Sequence, residues 1–199
     1  MGSPSPATGM VMIRPGTLEM KAVGMCVLTL ALLAVCAPAP GGEKKAPSPL
    51  IGKPAPPIAA EYALNGVPAS LADLKGKVVV LDFWAIWCPH CRDMVPLLRQ
   101  LSTSHDDVRV ISISGSGERD ATREVLQDFA ARHEMYWLLL RASAREMAAM
   151  ARAYRVTGYP HVVLIDRRGI VRQVLTGYGG SSYDDYVTAL VTRLLAERP

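Results

Sequence analysis

Residues 78–91 read VVVLDFWAIWCPHC, and three physical signals sit inside them. Val78 to Phe83 is a β-branched run, apolar apart from Asp82, as expected of a strand covered on both faces. Cys88 then stands just before Pro89, which suits the first position of a helix, where its fixed φ and missing N–H cost nothing. Cys91 follows one turn later on the same side. The free N–H groups and the positive dipole end of a helix start favour an anion. Because thiolates and not thiols attack disulfides, Cys88 is the expected nucleophile and Cys91 the thiol that resolves the mixed disulfide.

A Cys88–Cys91 bridge closes too short a loop to staple distant segments, and the gain from closing a loop grows with its length. The other two cysteines, Cys26 and Cys36, lie in an apolar leader, so the chain lacks the cysteine-rich framework of a small secreted scaffold. Reactivity explains the pair better than architecture does.

Working outward, a short strand near Tyr62 leads to Asn65-Gly66, a two-residue hairpin signal. Leu71 to Leu74 suggests one helical turn ending at Gly76. Pro89 to about Ser104 is helical in pattern, with Pro96 expected to kink it. Val108 to Ser114 predicts a strand ending in a Gly115-Ser116-Gly117 loop, and Ala121 to His133 a helix carrying Val125, Leu126 and Phe129 at helical spacing. A strand over Tyr136–Leu140 and a helix over Ser143–Tyr154 follow. His161–Asp166 and Ile170–Leu175 form a hairpin through Arg167-Arg168-Gly169, and Ser182–Ala196 closes the chain with Tyr186, Leu190 and Leu194 along one stripe. Strands separated by helices mean parallel crossovers, and the late hairpin adds antiparallel strands, so a mixed central sheet flanked by helices is expected.

With Pro96 five residues past Cys91, Gly158-Tyr159-Pro160, and VVLIDRRG at 162–169, the segment resembles the thioredoxin superfamily. The early hairpin, the GKVVVLDFWA lead-in at 76–85 and the leader are similar to its exported TlpA/ResA-like branch. The resemblance covers roughly Ile51 to Leu195. It implies an α/β thioredoxin fold with an N-terminal β-hairpin and an α/β insertion, and thiol-disulfide oxidoreductase activity. It also implies that Pro160 is cis and faces the dithiol, with Tyr159 beside it in the substrate groove. Asp82 falls where thioredoxins keep a buried acid beneath the dithiol; such a carboxylate has a raised pKa and accepts the proton of Cys91. The alternative is a strand-end Asp satisfied by hydrogen bonds.

Relatives often carry Glu three residues after the second cysteine. Here that residue is Met94, with Asp93 beside it to cap or solvate the helix. The Pro89-His90 pair is the one seen in DsbA-like oxidants. A protonated His90 would stabilise the Cys88 thiolate and place the potential on the oxidising side of thioredoxin's; the alternative is a solvent-facing His90. His161, next to Pro160, is expected to shape the substrate groove, the other option being a soft-metal site with Cys88, Cys91 and His90. No metal is expected. Trp87 is expected to cover the dithiol and offer clients an apolar surface. Trp84 either shares that role or is structural.

The 199 residues suit one domain plus a leader: 1–37 as signal peptide or lipoprotein signal, 38–57 as a Pro/Gly-rich tether with no core of its own, and 58–199 as the folded domain. Ala22 to Val35 is an apolar run of 14 residues, short of the roughly 20 that span a bilayer, and it follows Met20-Lys21, an alternative start. Leu33-Ala34-Val35-Cys36 offers a lipidation site at Cys36, Ala37-Pro38-Ala39 a cleavage site, and no processing would leave an anchor. Each outcome puts the domain outside the cytosol, with membrane contact only through the leader or a lipid.

A formal charge of +4 without a basic run gives no case for nucleic-acid binding. No nucleotide cradle or metalloprotease motif is present, so no cofactor is expected beyond the redox-active Cys88–Cys91 disulfide. Electrons must then pass to or from another dithiol protein of the membrane or envelope. The clients are exported proteins with cysteines or disulfides. Reduction, as in cytochrome c maturation, disulfide formation of the DsbA kind, and non-enzymatic copper carriage remain the three functional readings.

Overall fold

A computed structural model of the chain describes residues 47–68, 70–115 and 122–197. The leader, Cys36, the first part of the tether and Ser116-Gly117 lie outside the described residues. Six strands, β1 (Tyr62–Leu64), β2 (Val78–Phe83), β3 (Val108–Gly115), β4 (Leu138–Ala142), β5 (His161–Ile165) and β6 (Val171–Thr176), form one sheet in the order β1-β4-β3-β2-β5-β6. β3 runs parallel to both β2 and β4, whereas β5 is antiparallel to β2 and β6, and β1 to β4. The sheet is mixed, as expected. Its central strand β2 is buried at all six positions, which is why it reads as an apolar run interrupted only by Asp82.

Among the described residues five α-helices flank the sheet: α1 (Pro89–Asp93), α2 (Val95–Ser104), α3 (Arg123–Arg132), α4 (Ala144–Tyr154) and α5 (Ser181–Ala196). The expected helix from Pro89 to Ser104 is broken at Met94. Pro96 supplies no N–H to the turn before it, and Met94 closes one helix and opens the next. Ser143 caps α4 reciprocally with Glu146, their side chains each accepting the other's backbone N–H, an arrangement worth about 1 kcal/mol. Arg155 ends it in the left-handed region at φ 57°.

The core has two layers. On one face of the sheet Trp84, Cys88, Cys91, Met94, Leu98, Phe129 and Val191 pack together beneath α1, α2, α3 and α5. On the other, Leu81, Phe83, Ile113, Met147, Met150 and Tyr154 pack beneath α4, with Leu50, Ala55 and Ile58 against them. The buried stripe of α5 is Val187, Val191 and Leu194, with Leu190 packed against the core beside it; of the expected stripe only Tyr186 faces outward.

Two expectations are corrected. Asn65-Gly66 does turn the chain, with both residues at positive φ, but among the described residues no strand returns beside β1; β1 pairs instead with β4 at the edge of the sheet. The Asn65 side-chain amide donates to the carbonyls of Met135 and Trp137 at 2.7 and 3.0 Å, tying the turn to the segment before β4. The described part of the tether is not free of the core either. Gly52 N–H donates to Val171 and Val171 N–H to Lys53, Ala55 donates to Gly169, and the Tyr154 hydroxyl donates to Pro56. The folded domain therefore begins upstream of residue 58.

Candidate active site

Strand β2 delivers Asp82 and Trp84 to the face that carries the dithiol, because alternate residues of a strand share a face. Past Phe83 the chain leaves the sheet through Trp84 to Trp87 and enters α1 with Cys88 at its N-cap. The Cys88 sulfur accepts the backbone N–H of Cys91 at 3.3 Å. The two cysteines are unbonded to one another and both buried. Burial pushes the Cys91 thiol far above its ordinary range, and the neighbouring Cys88 sulfur and the Asp82 carboxylate push it the same way.

Asp82 is buried, and desolvation raises its carboxyl from 3.8 to about 7 against the opposing hydrogen bond from Ser112. Ser112 Oγ donates to Asp82 Oδ2 at 2.9 Å, and Trp137 Nε1 donates to Ser112 Oγ at 2.9 Å. Oδ1 has no hydrogen-bond partner among the described residues. The carboxyl is thus oriented through one oxygen and open at the other. It is not the fully satisfied strand-end Asp of the alternative reading. Ser112 and Trp137 went unnoticed in the sequence, where the signal was available: Ser112 and Ser114 are polar residues alternating within the apolar, buried stretch of β3 from Val110. Tyr183 joins them, its phenol raised by burial and by Asp82.

The Tyr159–Pro160 peptide bond is cis, as the resemblance implied. Tyr159 sets its ring 6.0 Å from that of Trp87, bringing the Pro160 loop beside the dithiol loop. Trp87 is 62 % exposed, an apolar platform next to Cys88. Trp84 is buried against Phe129, their rings 5.5 Å apart, and so offers clients no exposed surface. Pro89 opens α1 at its first position. His90 is exposed and its Nδ1 lies 3.6 Å from Asp93 Oδ2, so the ring turns to the acid one helical turn on.

His161 is corrected. It does not join the dithiol: its Nδ1 lies 2.9 Å from Thr176 Oγ1 and its ring meets Phe83 edge-on at 6.0 Å, on the opposite face of the sheet. Strand alternation after Pro160 sends Val162 to the dithiol side and His161 away from it. With it goes the soft-metal option, and among the described residues no group of His, Cys, Asp and Glu could hold a metal ion.

A hydrogen-bonded dithiol at a helix start, beside a cis-proline loop and above a buried acid, is chemistry for thiol-disulfide exchange. The Thioredoxin-like family model matches residues 76–171. The chain is 32 % identical to the thiol:disulfide interchange protein DsbE of Pseudomonas aeruginosa, over 66 % of this chain and 69 % of that protein. It is 30 % identical to the thiol-disulfide oxidoreductase ResA of Bacillus thuringiensis, over 64 % and 70 % of the two. Among solved structures, a putative DsbE from Chlorobium tepidum superposes with a TM-score of 0.63 at 27 % identity, over 73 % of this chain and 98 % of that one. The chain belongs to the thioredoxin-like family, in its TlpA/ResA-like branch of thiol-disulfide oxidoreductases.

Proposed function

We propose that this chain reduces disulfides in exported client proteins through Cys88 and Cys91, with the cysteine pair of an apocytochrome c as the client class its branch suggests. The observation that carries the reading is the pairing of a buried Cys91 thiol with an Asp82 carboxyl open at Oδ1 on the same face of the sheet. A client meets Trp87 and Tyr159 first. The Cys88 sulfur, as thiolate, attacks one sulfur of the client disulfide, and the other leaves as a thiolate that takes up a proton. Asp82 Oδ1 then accepts the proton of Cys91, whose sulfur attacks Cys88 and releases the client's second thiol. The client gains two electrons and two protons, and Cys88–Cys91 is left as a disulfide for an envelope dithiol donor to reduce.

Export rests on the apolar leader at Ala22–Val35. Among the described residues no helix is long and apolar enough to cross a membrane. The reverse direction, oxidation of clients, is favoured by Pro89-His90 alone, and the His90–Asp93 pair weakens it by drawing the imidazole toward a carboxylate.

Insulin reduction by the dithiol form tests the activity, and Cys91→Ser tests the order of events. The variant is expected to accumulate a mixed disulfide between Cys88 and the client, whereas Cys88→Ser accumulates none. Equal trapping by both variants, or insulin turnover that survives Cys88→Ser, would refute the assignment.

A further inference from the structure

Strand β6 forms one edge of the sheet, and its outer side is only partly covered. Gly177 donates its backbone N–H to the Pro160 carbonyl at 2.8 Å, one place beyond the His161–Thr176 pair. Bonded and unbonded pairs alternate back along β6 from there, as in any antiparallel ladder. Leu175 and Gln173 therefore bond inward to β5, whereas Thr176 and Val174 turn their N–H and C=O groups to the outer edge. Past the bulge at Leu164–Ile165 the groups of Val171 also point outward, and there Val171 exchanges bonds with Gly52 and Lys53 at 2.8 and 2.9 Å. Among the described residues no backbone group bonds Val174 or Thr176 from that side. Sheets normally cover or blunt such an edge.

Residues 48–51 fold into a turn instead of continuing along β6, with the Ile51 N–H donating to the Ser48 carbonyl at 3.1 Å. The groove between that segment and β6 has a volume of about 560 Å³, and Arg155, Thr157 and His161 stand in its wall with Val174 and Thr176. Among the described residues no carboxylate lines it, and no ion pair includes Arg155, which is held in the left-handed region at the end of α4. The groove thus joins free backbone groups to an unbalanced positive charge. Its Thr176 end is continuous with the surface that meets the client: Thr176 pairs with His161, which follows Pro160, and the ring of Tyr159 lies 6.0 Å from that of Trp87. In the order β2-β5-β6, a strand added beyond β6 would lie about 14 Å from β2, a span that four or five extended residues cover.

We propose that an extended segment of the client polypeptide adds to the open edge of β6 as a further strand and places an acidic side chain in this groove. The proposal rests on the reading of the chain as a reductase of client proteins and names what it selects in them. Main-chain bonds to Val174 and Thr176 hold the segment extended whatever its sequence, and Arg155 selects the carboxylate. Side chains of an added strand alternate between its two faces, so one acidic residue facing the groove is enough. The segment is bound alike before and during exchange, so the site acts on KM and leaves the chemical step to Cys88 and Cys91.

The test uses the full chain and a labelled, cysteine-free peptide rich in Thr and Val with one central Glu, titrated by fluorescence anisotropy. Binding is expected to saturate, to weaken about fivefold in Val174→Pro and to weaken about threefold in Arg155→Asn or when Gln replaces the Glu of the peptide. Val174→Pro removes only the outward N–H, and proline is tolerated at such a place on an edge strand. Arg155→Asn removes the charge and keeps a residue suited to the left-handed region, so it decides the matter should the proline variant fail to fold. Joining the same peptide through a short Gly/Ser spacer to a small disulfide-bridged loop should lower KM for reduction several-fold relative to the loop alone, and less so in either variant. No saturable binding, or equal binding by wild type and both variants, overturns the proposal, as does binding with no fall in KM. A dimer in sedimentation that Val174→Pro dissociates would give the edge to a second copy and overturn it too. Failure of the reductase reading shows separately, as no reduction of the loop alone.

Discussion

Replacing Asp82 by Asn should change stability in a way that depends on pH with a definite sign. Burial raises the carboxyl from 3.8 in the unfolded chain to about 7 in the folded one. Between those values the native state holds a proton that the unfolded state has lost, so raising the pH through this window removes stability. At 1.36 kcal/mol per unit the full loss is about 4 kcal/mol, and about 3 kcal/mol of it falls between pH 5 and pH 8. Asn is neutral throughout, and its amide oxygen can still accept the Ser112 hydroxyl that now bonds Oδ2. Urea unfolding of both proteins under reducing conditions, at pH 5 and at pH 8, gives the comparison. Wild type should lose about 3 kcal/mol relative to the variant on going to the higher pH. The unfolded-state titration of the two cysteines is common to both proteins and cancels. In the same pair, resolution of a preformed Cys88 mixed disulfide should quicken in wild type as pH rises through about 7. In the variant it should lack that inflection and run about a hundredfold slower at pH 8. A stability difference that is the same at both pH values within about 0.5 kcal/mol would refute the burial argument. An unchanged pH–rate profile would remove Asp82 from the proton path.

Three further outcomes follow from the same geometry. Asp93→Asn frees His90 from its carboxylate and should raise the dithiol potential, whereas His90→Ala should lower it, each by up to about 30 mV, the equivalent of a tenfold change in equilibrium constant; glutathione equilibration measures both, and no movement in either would detach His90 from redox tuning. Trp87→Ala removes the exposed platform and should raise KM for a protein client while leaving the rate with dithiothreitol within about twofold, since a small thiol needs no apolar landing surface. Tyr154→Phe removes the donor to the Pro56 carbonyl and should cost about 1 kcal/mol, with faster proteolysis between residues 47 and 57 as the local signature; unchanged cleavage there would show that the segment is held by its bonds to β6 alone.

What could be read from the sequence alone was whatever short-range chemistry specifies. The β2 run, the Cys88-Pro89 helix start, the kink before Pro96 and the late hairpin are each encoded within a few residues, by apolar continuity, by proline's missing N–H and by turn chemistry. The resemblance carried the cis bond before Pro160 and the acid at Asp82 for the same reason, since both travel with local motifs.

Tertiary structure decided which faces and partners those elements take. Asn65-Gly66 supplies a turn, but the strand before it finds its partner in β4, more than 70 residues on. Residues 47–57 look like a tether because proline and glycine hide the backbone bonds they make to β6 and the loop before it. His161 was placed at the dithiol by its proximity to Pro160, and a shift of one residue along a strand puts it on the other face. The partners of Asp82 come from segments far apart in the chain. Only the sheet register brings them side by side, because pairing across strands depends on the whole hydrophobic pattern and not on any one stretch of it.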